Sequence, residues 1–117
     1  MRHGKAGKRL GRNDDHRRSM LRNLTTALFT HGTIETTVTR AKEVSRVAAR
    51  MITRAKKGDL HSRRLVAAYL TSGDVTKKLF DVIAPSLAGR NGGYTRIVRT
   101  RIRKGDAVPL AQIQLLP

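Results

Sequence analysis

The chain has 117 residues, enough for one small domain with a modest hydrophobic core. It carries 25 Lys and Arg against 8 Asp and Glu, a formal net charge of +17, and basic residues outnumber acidic ones in 1–22, 23–84 and 85–117 alike. This excess of positive charge predicts a polyanionic partner. The chain has no cysteine for disulfides or Cys-based zinc sites, and no apolar run near the ~20 residues of a membrane span, so we expect a cytoplasmic protein with no membrane partner.

The chain begins with a basic arm, predicted to span 1–13, that has almost nothing to bury in a core. It contains three glycines and no acidic residue, and Met1 and Leu10 are its only sizeable apolar side chains. Ordering a backbone costs about 1–2 kcal/mol per residue, and no contact within the arm offsets that cost. We therefore expect an extended arm that becomes ordered only on a grooved polyanion such as folded nucleic acid.

A single compact domain is predicted for 14–117, and it starts with a helix. Asn13 and the pair Asp14-Asp15 are good helix-starting residues, because side-chain oxygens cap unpaired N–H groups and negative charge suits the positive end of a helix. Apolar residues then recur at helical spacing as far as Gly32, which can take the left-handed conformation that ends a helix.

A β-branched segment, 33–38, is predicted to form a short strand. Thr39 is predicted to cap a second helix, which has an apolar side for burial and a basic outer side. Three arginines repeat every four residues along that outer side. They form a predicted basic ridge of Arg46, Arg50 and Arg54.

Two further helices are predicted from the glycine–aspartate pair that precedes each of them. The first covers 60–71. Its buried side is expected to comprise Leu65, Ala68, Tyr69 and Leu70. The second begins near Val75 and ends at Ala84-Pro85, because proline disfavours helical geometry in the residue before it.

Two strands, 94–103 and 110–116, are predicted to close the chain as an antiparallel hairpin. Strict alternation places Thr100 and Arg101 on opposite faces of the first strand. No acidic residue lies between Asp81 and Asp106 to balance the basic side chains of this region. The cations predicted to bind phosphate here are Arg96, Arg99, Arg101, Arg103 and Lys104.

The predicted order of elements is helix, strand, three helices and two strands. This order favours an α+β fold, a two-layer α/β domain in which a small mixed sheet carries helices on one face. The extended basic arm lies outside that domain.

No group of residues has the arrangement of a catalytic or metal site, so we predict no enzyme, no cofactor, no metal and no small-molecule substrate. Apart from Asp14-Asp15, the carboxylates are scattered singly, whereas acid–base catalysis needs groups that converge in a cleft. The four histidines fit no metal-ligand spacing. The segment 89–93 contains glycines but lacks the Gly-Lys-Ser/Thr of a phosphate loop and the spacing of a dinucleotide fingerprint.

The basic surfaces favour recognition of nucleic acid through its backbone and shape. Aromatic residues make up only 3% of the chain, too few for a platform on which single-stranded bases stack. No helix has the set of base-reading side chains that enters a major groove. The alternative is a basic architectural DNA-binding protein, although such proteins insert apolar wedges between base steps and no obvious exposed wedge is present.

Motifs along the whole chain resemble the family of bacterial large-subunit ribosomal protein seventeen. The most specific are the opening Met1-Arg2-His3-Gly4-Lys5 and the segment Gly92-Gly93-Tyr94-Thr95-Arg96-Ile97. The shorter matches are Arg12-Asn13, His16-Arg17, Arg22-Asn23, Thr36-Thr37, Ala41-Lys42-Glu43, Arg63-Arg64-Leu65, Lys78-Leu79-Phe80 and Gly105-Asp106. Asp14-Asp15 departs from the small hydroxyl residues of the family pattern, and it predicts a stronger helix start in place of a phosphate contact.

The resemblance implies a two-layer α/β fold and a structural, non-enzymatic constituent of the large ribosomal subunit, a ribonucleoprotein of translation. It implies a ribosome-bound protein near the nascent-chain exit that supports assembly, with rRNA and neighbouring large-subunit proteins as partners, and we expect no homo-oligomer. Besides the ridge and strand cations named above, the residues predicted to contact rRNA are Arg2, His3, Lys5, Lys8, Arg9, Arg12, His16, Arg17, Arg18, Arg22, Tyr94, Thr95 and Arg96.

Overall fold

A computed structural model of the chain describes residues 3, 7, 8 and 10–116. The elements follow the predicted order, with one helix divided into three parts. They are α1 (Asp14–His31), β1 (Thr33–Thr37), α2 (Val38–Lys57), α3 (Leu60–Tyr69), α4 (Gly73–Lys78), a π-helical turn (Leu79–Ile83), α5 (Ala84–Ser86), β2 (Thr95–Ile102) and β3 (Pro109–Leu115).

The strands of the described chain form one three-stranded sheet in the order β1-β3-β2. The sheet is antiparallel throughout, which corrects the expectation of a mixed sheet. Mixed pairing would have needed β1 to run parallel to its neighbour. Instead β3 lies between the other strands, and Ile113 is the register partner of both Ile34 and Ile97, so three isoleucines lie side by side on one face.

The helices pack on that isoleucine-bearing face, as predicted for a two-layer α+β fold. Phe29 of α1, Ile52 of α2 and Ile113 of β3 are fully buried where the two layers meet. The opposite face of the sheet is open to solvent and carries Val98 and Gln112. One face of the sheet therefore contributes to the core, and the other is available to contact a partner.

The α1 helix begins and ends at the residues that the sequence indicates. The side chain of Asn13 accepts a hydrogen bond from the backbone N–H of His16 at 2.8 Å, so Asn13 is the N-cap. Asp14 and Asp15 occupy the first turn, where negative charge is favourable. Gly32 ends the helix with a φ of 79°, a left-handed conformation that favours glycine.

The α2 helix starts two residues earlier than predicted. Thr37 is the N-cap, and its hydroxyl accepts from the backbone N–H of Arg40 at 3.3 Å. The predicted cap, Thr39, lies inside the first turn. The two threonines have the same capping chemistry, and β1 ends in an extended residue at Thr37, so the chain passes from strand to helix without a loop.

The buried side of α3 also differs from the prediction. Ser62, Val66 and Leu70 are buried, whereas Leu65 is 39% exposed and Tyr69 is half-buried. The buried residues recur every four positions, so they form a narrow stripe along which α3 packs on α2. The prediction was therefore wrong for Leu65 and for Ala68, which is also exposed, and it is confirmed for Leu70.

The helix predicted from Val75 to Ala84 is interrupted by the π-helical turn Leu79–Ile83. The backbone N–H of Ala84 donates to the carbonyl of Leu79, five residues back. Pro85 follows at once, has no N–H, and clashes with a carbonyl four residues back in an ordinary helix. Widening the helix before proline removes that conflict, and the chain continues into α5 in place of stopping.

The predicted division into an arm of 1–13 and a domain of 14–117 stays a prediction, because part of the arm lies outside the described residues. No helix within the described part of the chain is both long enough and apolar enough to span a bilayer.

Candidate nucleic-acid interface

The basic ridge lies along α2, outside the buried side of the helix. Arg46, Arg50 and Arg54 recur every four residues, while Val44, Ala48 and Ile52 face the core. Arg46 pairs with the buried carboxylate of Glu43 at 3.7 Å. Arg50 and Arg54 form no ion pair with another residue that the structure describes.

A groove of about 450 Å³ runs between α2 and the segment that leads into β2. Arg50 and Arg54 of the ridge line the groove, and Lys57 lines it one helical turn further along α2. Lys57 was not predicted as a contact, although its spacing of three from Arg54 and seven from Arg50 could have placed it on this face. The full lining is Ala49, Arg50, Thr53, Arg54, Lys57, Asn91, Gly92 and Tyr94.

The far wall of the groove is fastened to α2 by Lys56. Its ammonium donates to the carbonyl of Arg90 at 2.6 Å and to the hydroxyl of Tyr94 at 3.2 Å, and it lies 5.2 Å from the centre of the Tyr94 ring. Tyr94 is only 6% exposed. Gly92 has a φ of 123°, which favours glycine at this bend. The wall is thus held in place by contacts within the protein.

Tyr94 and Thr95, both predicted to contact rRNA, are turned towards the protein. Tyr94 is buried as described, and the Thr95 hydroxyl lies 2.8 Å from the hydroxyl of Ser45 on α2. Their role as RNA contacts stays a prediction. Arg96, the next residue, is exposed on the open face of the sheet.

A β-bulge in β2 changes which of its side chains share a face. The register with β3 shifts between Arg99 and Arg101, so Thr100 is an extra residue. Both Thr100 and Arg101 donate to the Glu35 carboxylate, at 3.1 and 3.0 Å, although strict alternation placed them on opposite faces. These hydrogen bonds, from Arg101 first and then Thr100, hold the pKa of Glu35 below its ordinary value of 4.5.

Of the remaining strand cations, Arg103 is paired with a carboxylate and, among the described residues, the other three are not. Arg103 donates twice to Asp106, at 3.0 and 2.6 Å, which lowers the pKa of Asp106 and raises that of Arg103. Arg96, Arg99 and Lys104 are exposed, and within the described chain they form no ion pair.

A cluster of three guanidinium groups lies where the arm, α2 and the end of β2 approach one another. Burial lowers the pKa of Arg40, and the nearby positive charges of Arg12 and Arg103 lower it further. Arg12 donates to the carbonyl of Leu10 at 2.9 Å, but its Nε is buried without a hydrogen-bond partner in the described structure. Like charges that approach in this way favour a bound anion. Arg40 was not predicted, because nothing local to it signals its two neighbours.

The arm passes close to α2 where it is described. A Cβ atom at Gly7 would lie 3.1 Å from a carboxylate oxygen of Glu43, so the backbone there is close to the side chain that pairs with Arg46. His3 and Lys8 are exposed. The other predicted arm contacts, Arg2, Lys5 and Arg9, lie outside the described residues.

On α1, two predicted contacts are engaged within the protein. Arg17 pairs with Asp14 at 2.7 Å. Arg22 donates from its Nε to the carbonyl of Tyr69 at 2.7 Å and so holds the end of α3. The other two, His16 and Arg18, are exposed. On α1 the structure therefore uses Arg17 and Arg22 in internal contacts and leaves His16 and Arg18 open to solvent.

Comparison with known proteins gives concordant similarities. The family model described as ribosomal protein L17 matches residues 20–116. The chain is 54% identical to the large ribosomal subunit protein bL17 of Moorella thermoacetica over 111 residues, 95% of this chain and 99% of that protein. It is 52% identical to bL17 of Fusobacterium nucleatum over 116 residues, 99% of this chain and all of that protein. It is 51% identical to bL17 of Pelobacter propionicus, covering 99% of this chain and 91% of that protein.

Proposed function

Because this chain belongs to the ribosomal protein L17 family, we propose that it is a structural constituent of the large ribosomal subunit. In this role it binds rRNA by neutralising phosphates and by fitting the shape of the folded RNA, without catalysis. It supports subunit assembly and translation, resides on ribosomes in the cytoplasm, and has rRNA and neighbouring large-subunit proteins as partners.

The observation that carries this proposal is the placement of cations that lack an acidic partner in the described structure. Arg50 and Arg54 lie on α2, and Arg96 and Arg99 lie on β2, so separate elements present positive charge to solvent. A protein that contacts phosphates on several faces fits into folded RNA, whereas one basic face would suffice for a simple duplex surface. The names of the similar proteins point to the large ribosomal subunit as the RNA's location.

The alternative of an architectural DNA-binding protein gains no support from the relatives reported above. Competition binding separates the two. The full chain should prefer structured large-subunit rRNA fragments over duplex DNA of equal length at the same salt concentration, and preference for the duplex would favour the alternative.

The proposal is tested directly in cells. A tagged full-length chain should sediment with large subunits in a low-salt gradient, and ultraviolet crosslinking followed by sequencing should recover large-subunit rRNA. Sedimentation apart from large subunits, with crosslinks mainly to other nucleic acid, would contradict it.

A further inference from the structure

We propose that the groove between α2 and the segment before β2 holds one unpaired nucleotide of the bound RNA. Its flanking phosphates lie on Arg50, Arg54 and Lys57, and its base lies in the groove beside Asn91. This inference rests on the proposed function and specifies what one of its surfaces recognises.

The positive wall of the groove is suited to a phosphodiester strand. At a rise of 1.5 Å per residue, Arg50 and Arg54 are separated by about 6 Å along α2, and Lys57 follows about 4.5 Å further on. Among the residues that the structure describes, none that line the groove is Asp or Glu. Three cations along one edge can therefore bind successive phosphates without competition from an acidic residue of the groove.

The concave shape of the groove distinguishes an unpaired nucleotide from a duplex backbone. A volume of about 450 Å³ lies within the range of about 300–1,000 Å³ that is typical of sites for small organic groups. A duplex presents phosphates on a convex surface and has nothing to insert into such a groove. Unpaired RNA bases, by contrast, can swing out of the stack and enter protein sites.

The floor and far wall of the groove supply what a base needs. Ala49 and Gly92 offer apolar or backbone surface for its flat faces. The Asn91 side chain offers two donors and an acceptor for a base edge. It is exposed and makes no hydrogen bond to another described residue, so its polar groups are available.

Contacts within the protein hold the shape of the groove. Lys56 fastens the far wall through Arg90 and Tyr94, so little further ordering is required on binding. Lys56 itself is committed to these contacts, which leaves the recognition of RNA to Arg50, Arg54 and Lys57.

The test uses large subunits purified from cells that carry each full-length variant. Their rRNA is treated with dimethyl sulfate and with a carbodiimide, which together report unpaired bases, and the modified positions are read by sequencing. The first variant is Asn91→Ala, which removes the base contact and keeps every charge. The second is Arg50→Ala with Arg54→Ala. The matched control is Arg64→Ala with Lys77→Ala, which removes two exposed charges outside the groove.

We expect one unpaired base to be protected in wild-type subunits. Asn91→Ala should raise its reactivity about fivefold, the change that corresponds to one lost hydrogen bond of about 1 kcal/mol. The double arginine variant should expose the same base, and the control should leave it protected.

Each other outcome is decisive. If Asn91→Ala subunits contain the protein and no unpaired base changes, the groove inference is wrong and the proposed function stands. If the variants instead lose a neighbouring protein from the subunit, a protein segment occupies the groove and the inference is again wrong. If the wild-type chain is itself absent from large subunits, the proposed function fails.

Discussion

Arg22 illustrates how the fold can use a basic side chain that the sequence assigns to RNA. Its guanidinium donates to the carbonyls of Tyr69 and Ala68, at 2.7 and 3.3 Å, and lies 5.9 Å from the centre of the Tyr69 ring. The end of α3 thereby gains a charged donor for its unpaired carbonyls. Nothing local in the sequence signals this structural role, because the partner of Arg22 lies 47 residues further along the chain.

Arg22→Ala should therefore lower the free energy of unfolding by about 1.5–3 kcal/mol, since it removes hydrogen bonds from a charged donor. Arg18→Ala is the matched control and should change that free energy by no more than about 0.5 kcal/mol, as is usual for an exposed residue. Urea unfolding of the two variants measures both values. Equal effects would show that Arg22 has no special structural role.

Leu65 and Val66 offer a second comparison between neighbouring residues. Val66 is fully buried and Leu65 is 39% exposed. Val66→Ala should destabilise the fold by about 2 kcal/mol through lost burial and an incompletely filled cavity. Leu65→Ala removes more atoms but should have an effect of less than about 1 kcal/mol. Chemical unfolding measures the order, and a larger effect at Leu65 would contradict the observed orientation of α3.

At the scale of the element, Glu35 connects β1 with β2 across the sheet. Arg101 and Thr100 keep its pKa below the ordinary value of 4.5 in the folded chain. A carboxylate with a lowered pKa stabilises the fold above its unfolded pKa, and this contribution is lost as the pH falls through the folded pKa. The stability gained from Glu35 is thus fully present at neutral pH, begins to decline near pH 4.5 and is lost as the pH falls further through the lowered folded pKa.

The Glu35→Gln variant tests this connection. The difference in the free energy of unfolding between wild type and variant should be largest near neutral pH and should shrink as the pH falls below about 4.5. Denaturant unfolding at a series of pH values measures it, and Asp81→Asn is a control because Asp81 is exposed and forms no ion pair with another described residue. A difference that stays constant over the whole pH range would show that ionised Glu35 does not stabilise the fold.

The elements that were predicted correctly are those with local signals. Asn13 and Gly32 bound α1 through capping chemistry that involves only nearby residues, and the segment after Gly32 forms a strand because it is β-branched. Two of the errors have distant causes. The bulge at Thr100 depends on pairing with β3, and the antiparallel order depends on which strand occupies the centre of the sheet.

In the candidate interface, too, residues with a local signal were predicted and residues without one were missed. The ridge was predicted because helical spacing is visible in the sequence, and the structure places Arg50 and Arg54 in a groove. Asn91 and Arg40 were missed, since each becomes notable only through residues far away in the chain. Tyr94 was assigned from the resemblance, and only the structure reveals that its ring is buried.

At the scale of the whole molecule, the net charge of +17 affects folding as well as binding. Without a polyanion, repulsion among the cations opposes the compact state. The free energy of unfolding of the isolated chain should therefore rise between about 0.01 M and about 0.15 M salt, as the screening length falls from about 30 Å to about 8 Å. The Arg64→Ala, Lys77→Ala variant should show a smaller rise, and a fall in stability with salt would contradict the argument.

The central claim is that cations on separate elements neutralise rRNA phosphates at the same time. The most direct measurement is the dependence of the affinity of the full chain for large-subunit rRNA on salt concentration. Removing Arg50 and Arg54 together should reduce the slope of log K against log salt by about 1.4–1.8, and removing Arg96 and Arg99 should reduce it by a similar amount. If neither double variant changes the slope, these four arginines do not contact phosphate and the central claim is wrong.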